Sequence, residues 1–170
     1  MPRRVVTGVN QSGKSVFVSD NEVEGTLVPG SGTMYDVWGV DGTFDAPNDG
    51  TSPSYTTFFP PAEGFRYLVG TFPPNAGGGE TVAPPDDVEA LLPGAGEFLE
   101  ADNPGMHTTQ TVDIGVVLTG ELWLELDDGA EVHLRPGDIV VQNGTRHAWR
   151  NKGSQPCTVA YALVGAAGPR

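Results

Sequence analysis

Residues 105–151 read GMHTTQTVDIGVVLTGELWLELDDGAEVHLRPGDIVVQNGTRHAWRN and hold all three histidines of the chain. Apolar residues alternate with polar or small ones along 114–118, 122–126 and 132–134, the period of half-buried strands. Turn signals separate these runs: Thr119-Gly120, Asp127-Asp128-Gly129, Arg135-Pro136-Gly137-Asp138 and Asn143-Gly144. No run has both helical spacing and room for a helix. Short antiparallel strands at this interval predict an all-β jelly-roll sandwich or barrel.

The same residues resemble the two motifs of the cupin superfamily. In the first motif, His107 matches the leading histidine, Asp113 the acidic position and Gly120 the closing glycine. In the second, Gly137, His147 and Asn151 match, with Gly144 near the internal glycine. Thr109 stands where the second histidine belongs, and Asp113 is one methylene shorter than the family's glutamate. Asn143-Gly144 replaces the Pro-x-Gly turn, so the step from Gly137 to His147 is one residue short. The long N-terminal part included, the chain resembles small bacterial and fungal single-cupin proteins. That resemblance implies a double-stranded β-helix barrel of the cupin 2 type with an incomplete metal-ligand motif, and a homodimer.

The even spacing of His107, Thr109 and Asp113 places them on one face of an uninterrupted strand, with Ile114, Val116 and Leu118 on the other. If the first face is interior, the second motif brings His147 to the same place. His107, Asp113 and His147 are then candidate catalytic residues. They are also a candidate two-histidine, one-carboxylate set for Fe, Mn or Zn. Without metal, the two histidines would serve as general acid and base, with Asp113 orienting one of them. No organic cofactor is expected. Strand position adds Thr109, Trp149, Tyr161, Tyr67 and Gln142 as substrate-binding candidates. His133, alternating with Val132 and Leu134, is expected at the surface, and Cys157 is expected to be inert.

Three functions remain open on these grounds. One is metal-assisted lyase, isomerase or oxygenase chemistry on a carbonyl- or carboxyl-bearing metabolite. Another is a metal-free acid–base dehydratase using His107 and His147. The third is a small-molecule-binding cupin without catalysis.

Composition narrows the partners. The chain has 170 residues, 24 glycines and 15 prolines, and a net charge of -13. Its length suits one domain, 1–170, divided into N-terminal strands and loops (1–104) and a barrel core (105–164). Its acidity disfavours nucleic acid and anionic membranes. A single cysteine excludes an internal disulfide, and no apolar run approaches a membrane span, so a cytoplasmic protein is expected.

Outside the core, 4–9 and 15–19 read as a hairpin, which would either pair within its own chain or cross to a second subunit. Residues 34–40, 65–72 and 157–164 read as strands, and 86–92 as the one helical turn. Segments 21–32 and 41–63 read as connections outside the barrel. In the second of these, Tyr55, Phe58 and Phe59 would pack on the outside of the sheet or drape over the barrel mouth.

Overall fold

The structure is a computed structural model that describes residues 1–52, 54–78 and 82–168. Eleven strands follow in chain order. They are β1 Arg3–Val9, β2 Ser15–Glu22, β3 Gly25–Val28, β4 Gly32–Val40, β5 Phe65–Phe72, β6 Thr111–Thr119, β7 Leu122–Glu125, β8 Glu131–Leu134, β9 Ile139–Asn143, β10 Ala148–Arg150 and β11 Cys157–Gly165. One short helix, α1, spans Pro85–Leu91, with Asp86 and Asp87 in its first turn, where acids favour a helix start.

The strands form a β1–β2 hairpin, a three-stranded sheet β10-β7-β8 and a six-stranded sheet β3-β4-β5-β11-β6-β9. Every pairing is antiparallel. The larger and smaller sheets pack face to face as an all-β jelly roll. Leu122 and Leu134 from the smaller sheet meet Leu68, Phe72, Val117 and Val159 from the larger. Leu122 is fully buried, and a buried side chain of this size contributes about 1.5–3 kcal/mol. The turn between β6 and β7 depends on Gly120. Its φ is +72°, and a Cβ there would sit 2.3 Å from the Pro156 carbonyl oxygen.

Alternation on β6 follows the sequence pattern. Thr111, Asp113, Gly115 and Val117 are buried, whereas Ile114 and Leu118 are half exposed on the outer face. Three expectations change. Within 21–32, Gly25–Val28 is not a connection but the edge strand of the larger sheet, held by pairing with β4. The larger sheet also draws strands from both sides of residue 105, so the barrel core is not confined to 105–164. Phe58 and Phe59, in the 41–63 segment, turn inward and pack against the buried core instead of the outside of the sheet.

That inward turn has a visible cause in Arg66, whose side chain is fully buried. Its guanidinium donates to the carbonyls of Val40, Phe65 and Thr57 and pairs with Asp41. The Tyr55 ring lies 3.8 Å from the guanidinium carbon, and the Tyr55 hydroxyl donates to Asp36. These contacts tie Asp41 and the 55–57 stretch of the segment to β4 and β5.

Candidate functional site: an apolar cavity with a paired-histidine floor

A cavity of about 150 Å³ lies between the sheets and beneath the 58–59 segment. Its walls include Met34, Phe58, Phe59, Leu68, Phe72 and Leu92. Polar side chains that line it include His107, His147, Asp113 and Tyr161.

The two histidines are paired by their backbones. His107 lies ahead of β6, on an isolated antiparallel bridge to His147. Each backbone N–H donates to the other's carbonyl at 2.9 Å. The rings then sit side by side, centroids 4.2 Å apart. The Nδ1–H of His107 donates to the Gly105 carbonyl at 3.0 Å, and that of His147 to the Thr145 carbonyl at 2.9 Å. A carbonyl only accepts, so in each neutral ring the proton sits on Nδ1 and Nε2 keeps its lone pair. Among the described residues neither Nε2 has a hydrogen-bonding partner. Burial lowers the pKa of both rings, and for His147 the neighbouring His107 adds to it, taking it down to about 3. Backbone carbonyls therefore orient the imidazoles. Asp113, expected in that role, bonds neither of them.

Asp113 comes from the inner face of β6 and is 9% exposed. Burial pushes its carboxyl up to about 6, against the pull of the Thr111 hydroxyl. Tyr161, on the inner face of β11, is raised well above its ordinary value by burial. Asp113 Oδ1 and Tyr161 Oη are both buried without a partner among the described residues. Trp149 walls the cavity between these groups, its ring centroid 5.6 Å from those of His147 and of Tyr161.

Three substrate-binding candidates lie elsewhere. Tyr67 is 42% exposed, because β5 turns Arg66, Leu68, Gly70 and Phe72 inward and Tyr67 outward. Thr109 is buried, but its hydroxyl bonds that of Thr111 at 2.8 Å, and it does not line the cavity. Gln142 is buried, with its amide donating to the carbonyl and hydroxyl of Thr145. It braces the turn before His147. His133 is half-buried on the far sheet, stacked on Trp123 at 4.1 Å and bonded to Glu121 at 2.7 Å. Cys157 is fully buried and its thiol is pushed up to about 11, chiefly by burial. Phe58 and Phe59, read from the sequence as either outside the sheet or over the barrel mouth, line the cavity; a loop has no period that decides between the two.

His107 and His147 offer two free nitrogens, and Asp113 lines the same cavity. Among the described residues, however, no group of three His, Cys, Asp or Glu side chains is disposed to hold a metal ion. The side chains as arranged do not complete the site.

A model of the cupin domain matches residues 89–164, which hold both motifs and six strands, β6 to β11. The matched stretch is similar to cupin domains. The chain also superposes on the Cnp3 cupin domain of Schizosaccharomyces pombe, with a TM-score of 0.51 at 8% identity, covering 97% of this chain and 88% of that one. That likeness is one of fold. Among curated proteins, the chain is 46% identical over 67 residues to phomopsin biosynthesis cluster protein D of Diaporthe leptostromiformis, covering 36% of this chain and 35% of the relative. It is 39% identical over 71 residues to the cupin-domain-containing oxidoreductase fogC of Aspergillus ruber, covering 40% and 35%. These matches span about a third of the length of the curated relatives. No helix among the described residues is long and apolar enough to cross a membrane.

Proposed function

We propose that this cupin is an enzyme that moves protons on a small, largely apolar carbonyl compound, with His107 and His147 as its acid–base pair. The observation that carries the reading is the pair of unengaged Nε2 atoms on the floor of an apolar cavity. One Nε2 takes a proton from the carbon beside the carbonyl, giving an imidazolium and an enolate. Where the enolate is conjugated to a C=C bond, the imidazolium returns the proton at the far (gamma) carbon, which is isomerisation. Where the beta carbon bears a hydroxyl, the imidazolium protonates that hydroxyl as the C–O bond breaks, which is dehydration. The apolar walls exclude water that would compete for the proton. Relatives named as oxidoreductases support an enzyme over a passive binder.

A second reading keeps a divalent metal. It is favoured by the Nδ1–carbonyl bonds, which are how metal-binding imidazoles are commonly held. It needs a third protein ligand that the present arrangement does not supply.

The test is deuterium incorporation from heavy water into the methyl group of acetophenone, followed by proton NMR. The acid–base reading expects exchange above the buffer rate, unchanged by a chelator and lost in His107→Ala and His147→Ala. Exchange abolished by the chelator and restored by a divalent metal would replace it with the metal reading. Exchange that survives both substitutions would remove the histidines from the chemistry.

A further inference from the structure

We propose that Asp113 and Tyr161 form a two-point anchor that selects an uncharged ligand, apolar in its body, bearing one hydrogen-bond acceptor and one hydroxyl. This deepens the reading above and rests on its choice of cavity. The Tyr161 hydroxyl donates to the ligand's carbonyl oxygen, and Asp113 Oδ1 accepts from the ligand's hydroxyl.

The first support is the state of the two groups. Tyr161 is 8% exposed and Asp113 9%, both line the cavity, and neither Tyr161 Oη nor Asp113 Oδ1 has a partner among the described residues. A buried polar atom without a partner costs on the order of 1–3 kcal/mol. Two such atoms on one wall are explained by a ligand that satisfies both.

The second support is their relative placement. On the β6–β11 ladder Asp113 lies opposite Leu163, and Tyr161 opposite Gly115. They are therefore diagonal neighbours on the same inner face, a relation that spans about 7–8 Å between Cα atoms. A Cβ on Gly115 would lie 3.0 Å from Tyr161 Cδ1 and 3.2 Å from Cε1, so the ring leans over the glycine on the strand that carries Asp113. The two polar tips share a wall yet do not bond each other, which leaves both for a third molecule.

The third support is charge. No lysine or arginine lines the cavity among the described residues. A carboxylate or phosphate would enter without a counter-charge and beside a carboxyl group, a costly transfer from water. The ligand class thus narrows from carbonyl or carboxyl compounds to neutral hydroxy-ketones and hydroxy-aldehydes.

The test is calorimetric titration of the full chain with four probes of similar size: meta-hydroxyacetophenone, acetophenone, ethylbenzene and meta-hydroxybenzoate. The anchor predicts that affinity falls in that order for the first three, by roughly fivefold to tenfold per lost hydrogen bond, and that the benzoate does not bind. Tyr161→Phe should erase the gap between acetophenone and ethylbenzene. Asp113→Leu should erase the gap between the two ketones. Benzoate binding as tight as that of the ketones, gaps that persist in both variants, or no ranking in the wild-type protein would each overturn the anchor. The ranking should survive in His107→Ala, where proton transfer is lost. Failure of the anchor and failure of the acid–base reading are therefore separable.

Discussion

His107 and His147 are a directly opposed antiparallel pair, each backbone N–H donating to the other's carbonyl at 2.9 Å, with ring centroids 4.2 Å apart. The spacing is thus fixed by main-chain hydrogen bonds, which no side-chain substitution removes. Because the carbonyls of Gly105 and Thr145 take the Nδ1 protons, both rings present the same kind of atom to the cavity.

Replacing either ring should therefore separate chemistry from fold. His107→Ala and His147→Ala are each expected to lower deuterium exchange by about 100-fold or more, the usual scale for a lost acid–base group. Circular dichroism should keep its β signature, since the bridge is made by backbone atoms. A collapse of the β signal together with activity would show that the rings act as core packing.

Asp113 gives a prediction with a definite sign in pH. Its folded pKa, about 6, lies above the ordinary carboxylate value, so the native state binds this proton more tightly than the unfolded chain. The resulting stability is complete below the unfolded pKa and is lost as pH rises toward and through about 6. Asp113→Asn cannot ionise, so it should be more stable than wild type by roughly 3 kcal/mol near pH 8, with the gap shrinking toward pH 4. The depressed His147 pKa acts in the opposite sense as pH falls, and it cancels when the two proteins are compared at one pH. Urea unfolding at several pH values measures the difference. A gap that widens on acidification would contradict the burial argument.

Much of this arrangement is legible in the sequence, for reasons that also mark the limits. Period-two alternation on 111–119 puts Asp113 inside and Ile114 outside, because one sheet face is packed and the other solvated. Tyr67 is misplaced because β5 is apolar on both faces. The choice of inner face rests on its neighbours β4 and β11, far away in sequence. Thr109 and Gln142 do point inward, but short-range partners in the 109–111 and 142–145 turns engage their polar groups. His107 reaches the site through its bridge to His147 rather than through a continuous strand from Asp113, a long-range pairing that spacing alone does not specify. Phe58 and Phe59 depend on Arg66, whose reach to Thr57 and Asp41 has no local signal.

Arg66 accordingly has a predicted structural cost. Arg66→Met keeps the apolar stem but leaves three carbonyls and the Asp41 carboxylate without their donor. Urea unfolding should show a loss on the order of 3 kcal/mol. Limited proteolysis should also cut first within 55–59, the stretch released from the sheet. A change within a few tenths of a kcal/mol would show that the 41–63 segment is held by other contacts.

The proposed chemistry requires both imidazoles to be neutral, protonated on Nδ1 and free at Nε2. Nitrogen-15 NMR of histidine-labelled protein, recorded after chelator treatment and at pH values from about 8 down to about 5, reads this directly. His107 and His147 should both show a protonated Nδ1 and an unprotonated Nε2 at about pH 8, His147 should keep that state down to about pH 5, and addition of acetophenone should perturb the Nε2 signals. Nε2 protonated at neutral pH, or a His147 imidazolium appearing well above pH 5, would contradict it.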